Sequence, residues 1–177
     1  MPSLFDSAPG FDQPLAVLKH CHDRIRKQLA TLDKLLNHLR DHGTDENAQQ
    51  AAKAVLRYFN KAAPLHHEDE EVDLLPTLQA CVSGEEATQL QRLIETILGQ
   101  HQRMEQFWGI LAPQLSAIED GSGVDLSASD VDDFTALYTE HMQIEENQIA
   151  PMAQRLFSAA QMQALGAAMQ TRRGITN

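Results

Sequence analysis

Apolar side chains near the start of the chain recur at spacings of three and four: Leu15, Leu18, Ile25, Leu29, Leu32, Leu36 and Leu39, with His22 standing in the same seam. A seam held over more than three heptads belongs to an α-helix packed along its length. A strand, whose faces alternate every two residues, does not produce it. The same spacing returns in Leu90, Ile94, Ile97, Met104, Trp108, Leu111, Leu115 and Ile118, again with a histidine, His101, in line. Two further seams run through Val55, Phe59, Ala62, His66 and Glu70, and through Phe134, Leu137, His141, Glu145, Gln148 and Met152.

End signals divide these seams into elements. Asp12 and Pro14 suit the opening of the first helix and Gly43 its end. The second helix starts near Asp45 and ends before Ser83 and Gly84, with a kink or brief break expected at Pro64. Ser83 and Glu86 read as a capping box for the third, which Pro113 is expected to bend or shorten. A loop over 119–129 precedes a fourth helix opening near Ser127 or Ser129. Ser158 and Gln161 form another capping box, for a short fifth helix that closes with Arg172 and Arg173, suited to the negative helix end, and Gly174. The predicted fold is all-α: an up-down-up-down four-helix bundle over about 14–156 with a short C-terminal helix over about 158–173, in one domain spanning 1–177.

Residues 66–76 read His66-x-x-x-Glu70-Glu71-x-x-x-x-Pro76, and residues 141–151 read His141-x-x-x-Glu145-Glu146-x-x-x-x-Pro151. The lone seam histidines sit in matching contexts, "HDRI" at 22–25 and "HQRM" at 101–104. The chain thus reads as two helical hairpins, each giving one lone His and one His-x-x-x-Glu pair. Residues four apart share a helix face, so each pair can address a common point. Helical rise brings His22, His66 and His101 to nearly one level, since each lies about 24–30 Å from the turn it shares with its neighbour. His141 fits less closely, at about 18–21 Å from its helix start, a difference the preceding loop can absorb.

Two carboxylates buried in a helical core would cost several kcal/mol each unless something cationic met them. A pair of metal ions does so, with Glu70 and Glu145 bridging and the imidazoles of His22, His66, His101 and His141 as terminal ligands. Imidazole with carboxylate, and no thiolate on the seam, suits iron or manganese better than structural zinc. Glu68, Asp69 and Asp73 read as a solvated helix face. Cys21, one position from His22, is expected to face elsewhere as an inert thiol. His38 and His42 lie about 24 and 30 Å along the first helix from His22, too far to share its site. Tyr138, Trp108 and Met104 read as core.

Other classes fall away. A formal net charge of −11 argues against nucleic acid and anionic membrane surfaces as partners. No apolar run approaches the ~18 residues of a membrane span, and the start "MPSLFDSAPGFDQP" has no leader signature, so a cytoplasmic location is expected. Two cysteines, Cys21 and Cys81, form no disulfide framework. Ferritin-like di-iron proteins need Glu-x-x-His on two helices, and no Glu stands three residues before any of the 8 histidines. "HEDEE" at 67–71 lacks the final histidine of the zinc protease motif.

On "HDRI", "HHEDEEVDLLP", "HQRM" and "HMQIEENQIAP", the chain resembles the hemerythrin-like, or HHE cation-binding, family over 14 to about 156. The resemblance implies a bundle around two non-haem irons, carboxylate-bridged and open to an oxo bridge. It makes His22, His66, His101 and His141 terminal ligands and Glu70 and Glu145 the bridges. His67 is a candidate fifth histidine, at a position where some iron-sensing relatives carry a further metal-binding carboxylate; against this, an adjacent helix position is rotated by roughly 100°. Glu105 stands where oxygen-carrying members have a second helix 3 histidine, and is a candidate substitute. Those members also pair the helix 4 His with Asp at a spacing of five, where this chain has His141 and Glu145 at four. A more carboxylate-rich site favours redox or sensing chemistry with dioxygen, peroxide or nitric oxide over reversible oxygen carriage. The alternative is a metal-dependent regulatory module acting through a protein partner.

Overall fold

The computed structural model describes residues 8–175. Residues 1–7, on which much of the leader reading rests, and 176–177 lie outside it. Helix α1 is Pro14–His42. Helix α2 runs over 46–81, α3 is Gly84–Glu119, α4 runs over 128–156 and α5 is Ala159–Arg172. Each long helix packs on the next, and α4 closes back on α1, so the four make a square bundle. Among the described residues there is no strand, and no helix is long and apolar enough to cross a membrane.

The ends follow side-chain chemistry. Asp45 accepts from the Ala48 N–H and Ser127 from that of Asp130, each satisfying a first-turn donor. Ser158 and Gln161 form the reciprocal capping box. Gly43 ends α1 at φ 69°, where a Cβ would be strained. Two expected caps are absent. The α1 N-cap is Gln13 and makes no side-chain bond, so Asp12 does not cap it, while Pro14 takes the first turn as expected. Ser83 precedes α3 but its side chain takes no cap bond; the extended Ser83 is followed by Gly84 at φ 61°, and this entry geometry carries the oxygen away from the first turn.

Prolines inside the helices do not break them. Pro64, Pro76 and Pro151 each follow a π-helical turn that ends two residues earlier: Tyr58–Ala62, Asp69–Leu74 and Glu145–Ile149. In each, the residue just before the proline donates to the carbonyl five back: Ala63 to Tyr58, Leu75 to Glu70, Ala150 to Glu145. A widened turn makes room for a ring that would otherwise press on the carbonyl four residues back. Pro113 sits inside α3, which continues to Glu119 rather than stopping short.

The apolar interior forms two clusters. One is built on Ile25, Leu32, Phe59, Met104, Leu111 and Phe134. The other is built on Leu18, Leu78, Leu90, Ile97, Ile149 and Met169. In each long helix the polar seam residues fall between the two, as antiparallel packing at a common level requires. Helix α5 lies over the second cluster through Leu165 and Met169. At Gly166 a Cβ would stand 1.9 Å from the Phe11 carbonyl oxygen, so only glycine lets α5 meet the segment before α1.

Candidate metal centre

His22, His66, His101 and His141 meet Glu70 and Glu145 in the layer between the clusters, and all six are buried. His22 Nε2 is 3.0 Å from Glu145 Oε2, and His66 Nε2 is 3.0 Å from Glu70 Oε1. His101 Nε2 is 3.2 Å from Glu70 Oε2, and His141 Nε2 is 3.4 Å from Glu145 Oε1. The four rings thus turn one edge, always Nε2, toward the carboxylates. Three groups could hold a metal ion, each with donor atoms within 4.8 Å of one another: His22, His66, Glu70 and Glu145; Glu70, His101, His141 and Glu145; and His67, His101 and His141.

His67 therefore does face the cluster, its ring stacked on His101 at 4.0 Å between centroids. Glu105 does not; it is exposed and belongs to none of the metal-capable groups found among the described residues. At the far end of α1 the rings of His38 and His42 lie together, and His38 pairs with Asp45. Tyr138 packs against Phe59, Phe134 and His67, and Met104 lies in the core, as expected. Trp108 is only partly buried and donates its Nε1–H to Asn60 Oδ1 at 2.8 Å.

The outward nitrogens carry a second tier of partners that the sequence reading did not assign. His22 Nδ1 meets Glu146 Oε1 at 2.9 Å, and His101 Nδ1 meets Glu71 Oε1 at 2.6 Å. The second Glu of each repeat thus orients the lone histidine of the other hairpin. Carboxylates in this position fix an imidazole's tautomer and raise its basicity as a ligand. His141 Nδ1 meets Gln100 Oε1 at 3.1 Å. The doubled Glu of each repeat was the available signal.

Two readings are corrected. Asp69 is not a solvated charge: it is fully buried, gripped by Arg172 and by Arg173, whose Nη2 is 2.6 Å from Oδ2. Arg172 also reaches Asp73 at 2.6 Å, while Glu68 stays largely exposed with Arg172 Nε at 3.4 Å. The two arginines thus serve as more than partners for the helix end: they tie α5 to α2. Cys21 does not face away either. Its thiol lies beside His66 and Arg173, because a residue adjacent to a seam position faces the neighbouring helix.

Burial opposes charge on each group in the layer. His66 and His101 outweigh it for Glu70 and hold that carboxyl well below its usual range. Burial, reinforced by the Glu70 charge, pushes Glu145 up to about 7. Burial also works against protonated His66 and His101, but the Glu70 carboxylate beside them reverses the balance and raises both. Burial lowers His141 to about 3, and lowers His67 well below its usual value with the help of His101. The Glu70 carboxylate thus favours the protonated forms of His66 and His101, the place a bound cation would otherwise take.

A metal fits better than protons. Glu70 Oε1 and Oε2, Glu145 Oε1 and His66 Nε2 are buried with no hydrogen-bond partner, although they approach one another closely. Their short contacts lack hydrogen-bond alignment. Such orphaned acceptors are costly unless a cation takes them.

Comparison with known proteins agrees with this chemistry. The model of the hemerythrin HHE cation binding domain matches residues 13–153. An uncharacterized protein of Haemophilus influenzae is 29% identical over 165 residues, which cover 93% of this chain and 92% of that protein. The chain belongs to the hemerythrin HHE cation-binding family.

Proposed function

We propose that this chain is a non-haem di-iron protein whose centre binds or reacts with dioxygen, peroxide or nitric oxide, in sensing, detoxification or iron handling. The observation that carries the reading is the set of buried carboxylate and imidazole atoms that converge without hydrogen-bond partners. Glu70 and Glu145 would be shared by both ions. His22 and His66 would complete one set, and His67, His101 and His141 the other. When bound, iron supplies one-electron redox changes and a coordination position for a small ligand.

The chain's own residues do the rest. Glu146 and Glu71 hold the Nδ1 edges of His22 and His101, keeping Nε2 turned inward. Beside His22 and Glu145 lies a cavity of about 210 Å³ walled by Leu15, Leu18, Leu74 and Ile149. Such walls disfavour water and admit small apolar molecules, so the unequal histidine sets and this cavity support ligand access on the His22 side. The reading includes a cytoplasmic setting, where reduced thiols such as Cys21 and Cys81 persist.

A second reading, a metal-dependent regulatory module acting through a protein partner, is favoured by the Asp69 clamp: the α5 anchor adjoins Glu70, which would bridge the ions. Metal analysis of tagless protein, with optical spectra before and after dithionite, tests the centre. The expected result is about two irons per chain with visible bands that bleach on reduction. Rapid spectral change with peroxide or nitric oxide, with helicity unchanged, supports the first reading. Loss of helix on chelation without such reactivity supports the second. Absence of iron, together with failure to take up ferrous or manganous ion, overturns both.

A further inference from the structure

We propose that the acidic cavity between α2 and α3 is the port through which a divalent first-row metal ion reaches the centre. The inference rests on the di-metal reading and adds to it a route and a set of transient ligands.

The cavity is about 320 Å³, and its lining runs from Glu68, Glu71 and Glu105 to His67 and His101. Glu105 is exposed. The Glu71 side chain is 43% exposed yet holds His101 Nδ1 at 2.6 Å, so one carboxylate spans solvent and the centre. No lysine or arginine is among the lining residues. Two further groups point to a guest. Tyr138, only 3% exposed, lines the cavity and its hydroxyl takes no hydrogen bond among the described residues. His67 Nε2 is buried and equally unpartnered.

In the apolar cavity beside His22, cations offset part of the acidic lining, which includes Glu70 and Glu145 of the centre itself. Lys19 lines it, and its Glu146 is neutralised by Arg26, whose Nη2 lies 2.9 Å from both carboxylate oxygens. Glu71 is the repeat counterpart of Glu146 but has no arginine partner among the described residues. Glu68 keeps only the Arg172 Nε contact at 3.4 Å. A cleft lined by one sign of charge focuses its field and concentrates the opposite ion. A cation is therefore drawn first to the α2–α3 side, where no lysine or arginine offsets the carboxylates of the mouth.

The test uses the full chain produced without metal, its helicity checked by circular dichroism. Cobalt(II) loading is followed by stopped-flow visible absorption, and final stoichiometry by metal analysis. A Glu68→Gln, Glu105→Gln double variant alters neither a ligand nor a ligand's hydrogen bond. It should load about tenfold more slowly at low salt, with the difference shrinking at high salt and the final metal content unchanged. Lys19→Gln, at the other mouth, should load at the parent rate. Normal stoichiometry with equal rates in parent and double variant, or faster loading of Lys19→Gln, overturns the port alone. Absence of cobalt from the parent protein overturns the centre and the port together.

Discussion

The two copies of the repeat share a local structure and differ in what surrounds it. In both, the histidine sits one turn before the carboxylate, the carboxylate residue's carbonyl accepts the π-type bond, and a proline follows. In both, the second Glu crosses to a histidine of the other hairpin. The differences lie at the positions between. Where the first copy has His67 the second has Met142, and where the first has Asp69 the second has Ile144. His67 adds a nitrogen to one side of the centre, while Met142 is plain core. Asp69 receives two arginines from α5, whereas Ile144 packs with the apolar cluster. The shared positions answer to the metal layer. The divergent ones answer to elements the pseudo-symmetry does not duplicate, above all α5.

Neutralising the shared carboxylates tests what the copies have in common. Glu70→Gln and Glu145→Gln should each lose most bound iron while circular dichroism stays helical. Full retention of metal in both would show that neither bridges. Next in size is the Asp69 clamp. Asp69→Asn leaves Arg173 without its carboxylate partner and Arg172 with only Asp73 and Glu68, and should cost about 3 kcal/mol in urea unfolding. A cost below about 1 kcal/mol, within the range of a surface pair, would mean that α5 is held by its apolar face alone.

Proton competition comes third. In the metal-free protein His66 and His101 are raised and Glu145 stands at about 7, so near pH 6 these groups carry protons that an incoming ion must displace. Metal affinity is therefore full above those values and should fall about tenfold or more between pH 7 and pH 6. Competition titrations against a chelator at the two pH values would measure it, and a flat profile would contradict the charge balance described for the layer. The smallest effect is expected of His67→Met, which makes the first copy resemble the second. Affinity for one of two ions should drop about tenfold, with the other unchanged. An equal loss at both would mean that His67 supports the layer rather than ligating one side of it.

Much of this molecule was legible in the residue order because helical periodicity is local. The seams placed His22, His66, His101 and His141 on inward faces, and rise per residue brought the first three to nearly one level, with the loop before the fourth helix left to absorb the difference at His141. Helix starts near Asp45 and at Ser127 or Ser129, and the capping box at Ser158, were readable because a short polar side chain satisfies the N–H groups within its own first turn. The π turns were not foreseen at Glu70 and Glu145, although each precedes a visible proline. A proline announces a lost hydrogen bond, but whether the helix kinks, widens or runs on, as at Pro113, depends on what packs around it. Asp69 was misread because its partners lie about a hundred residues away, and a charge run looks the same whether it meets water or an arginine.

The sequence by itself determined the seam member of each adjacent pair in this centre: His22, His66, Glu70, His101 and Glu145. Their inward direction follows from the seam on their own helix. Tertiary structure decided the roles of their chain neighbours: Cys21, His67, Glu71, Gln100 and Glu146. An adjacent residue is turned by roughly 100°, and in a square bundle the two neighbours of a helix are separated by about 90°. The adjacent residue therefore meets the next helix rather than solvent, and its role depends on which side chain that helix presents. For Cys21 it is His66, for Glu71 it is His101, for Gln100 it is His141, and for Glu146 it is His22.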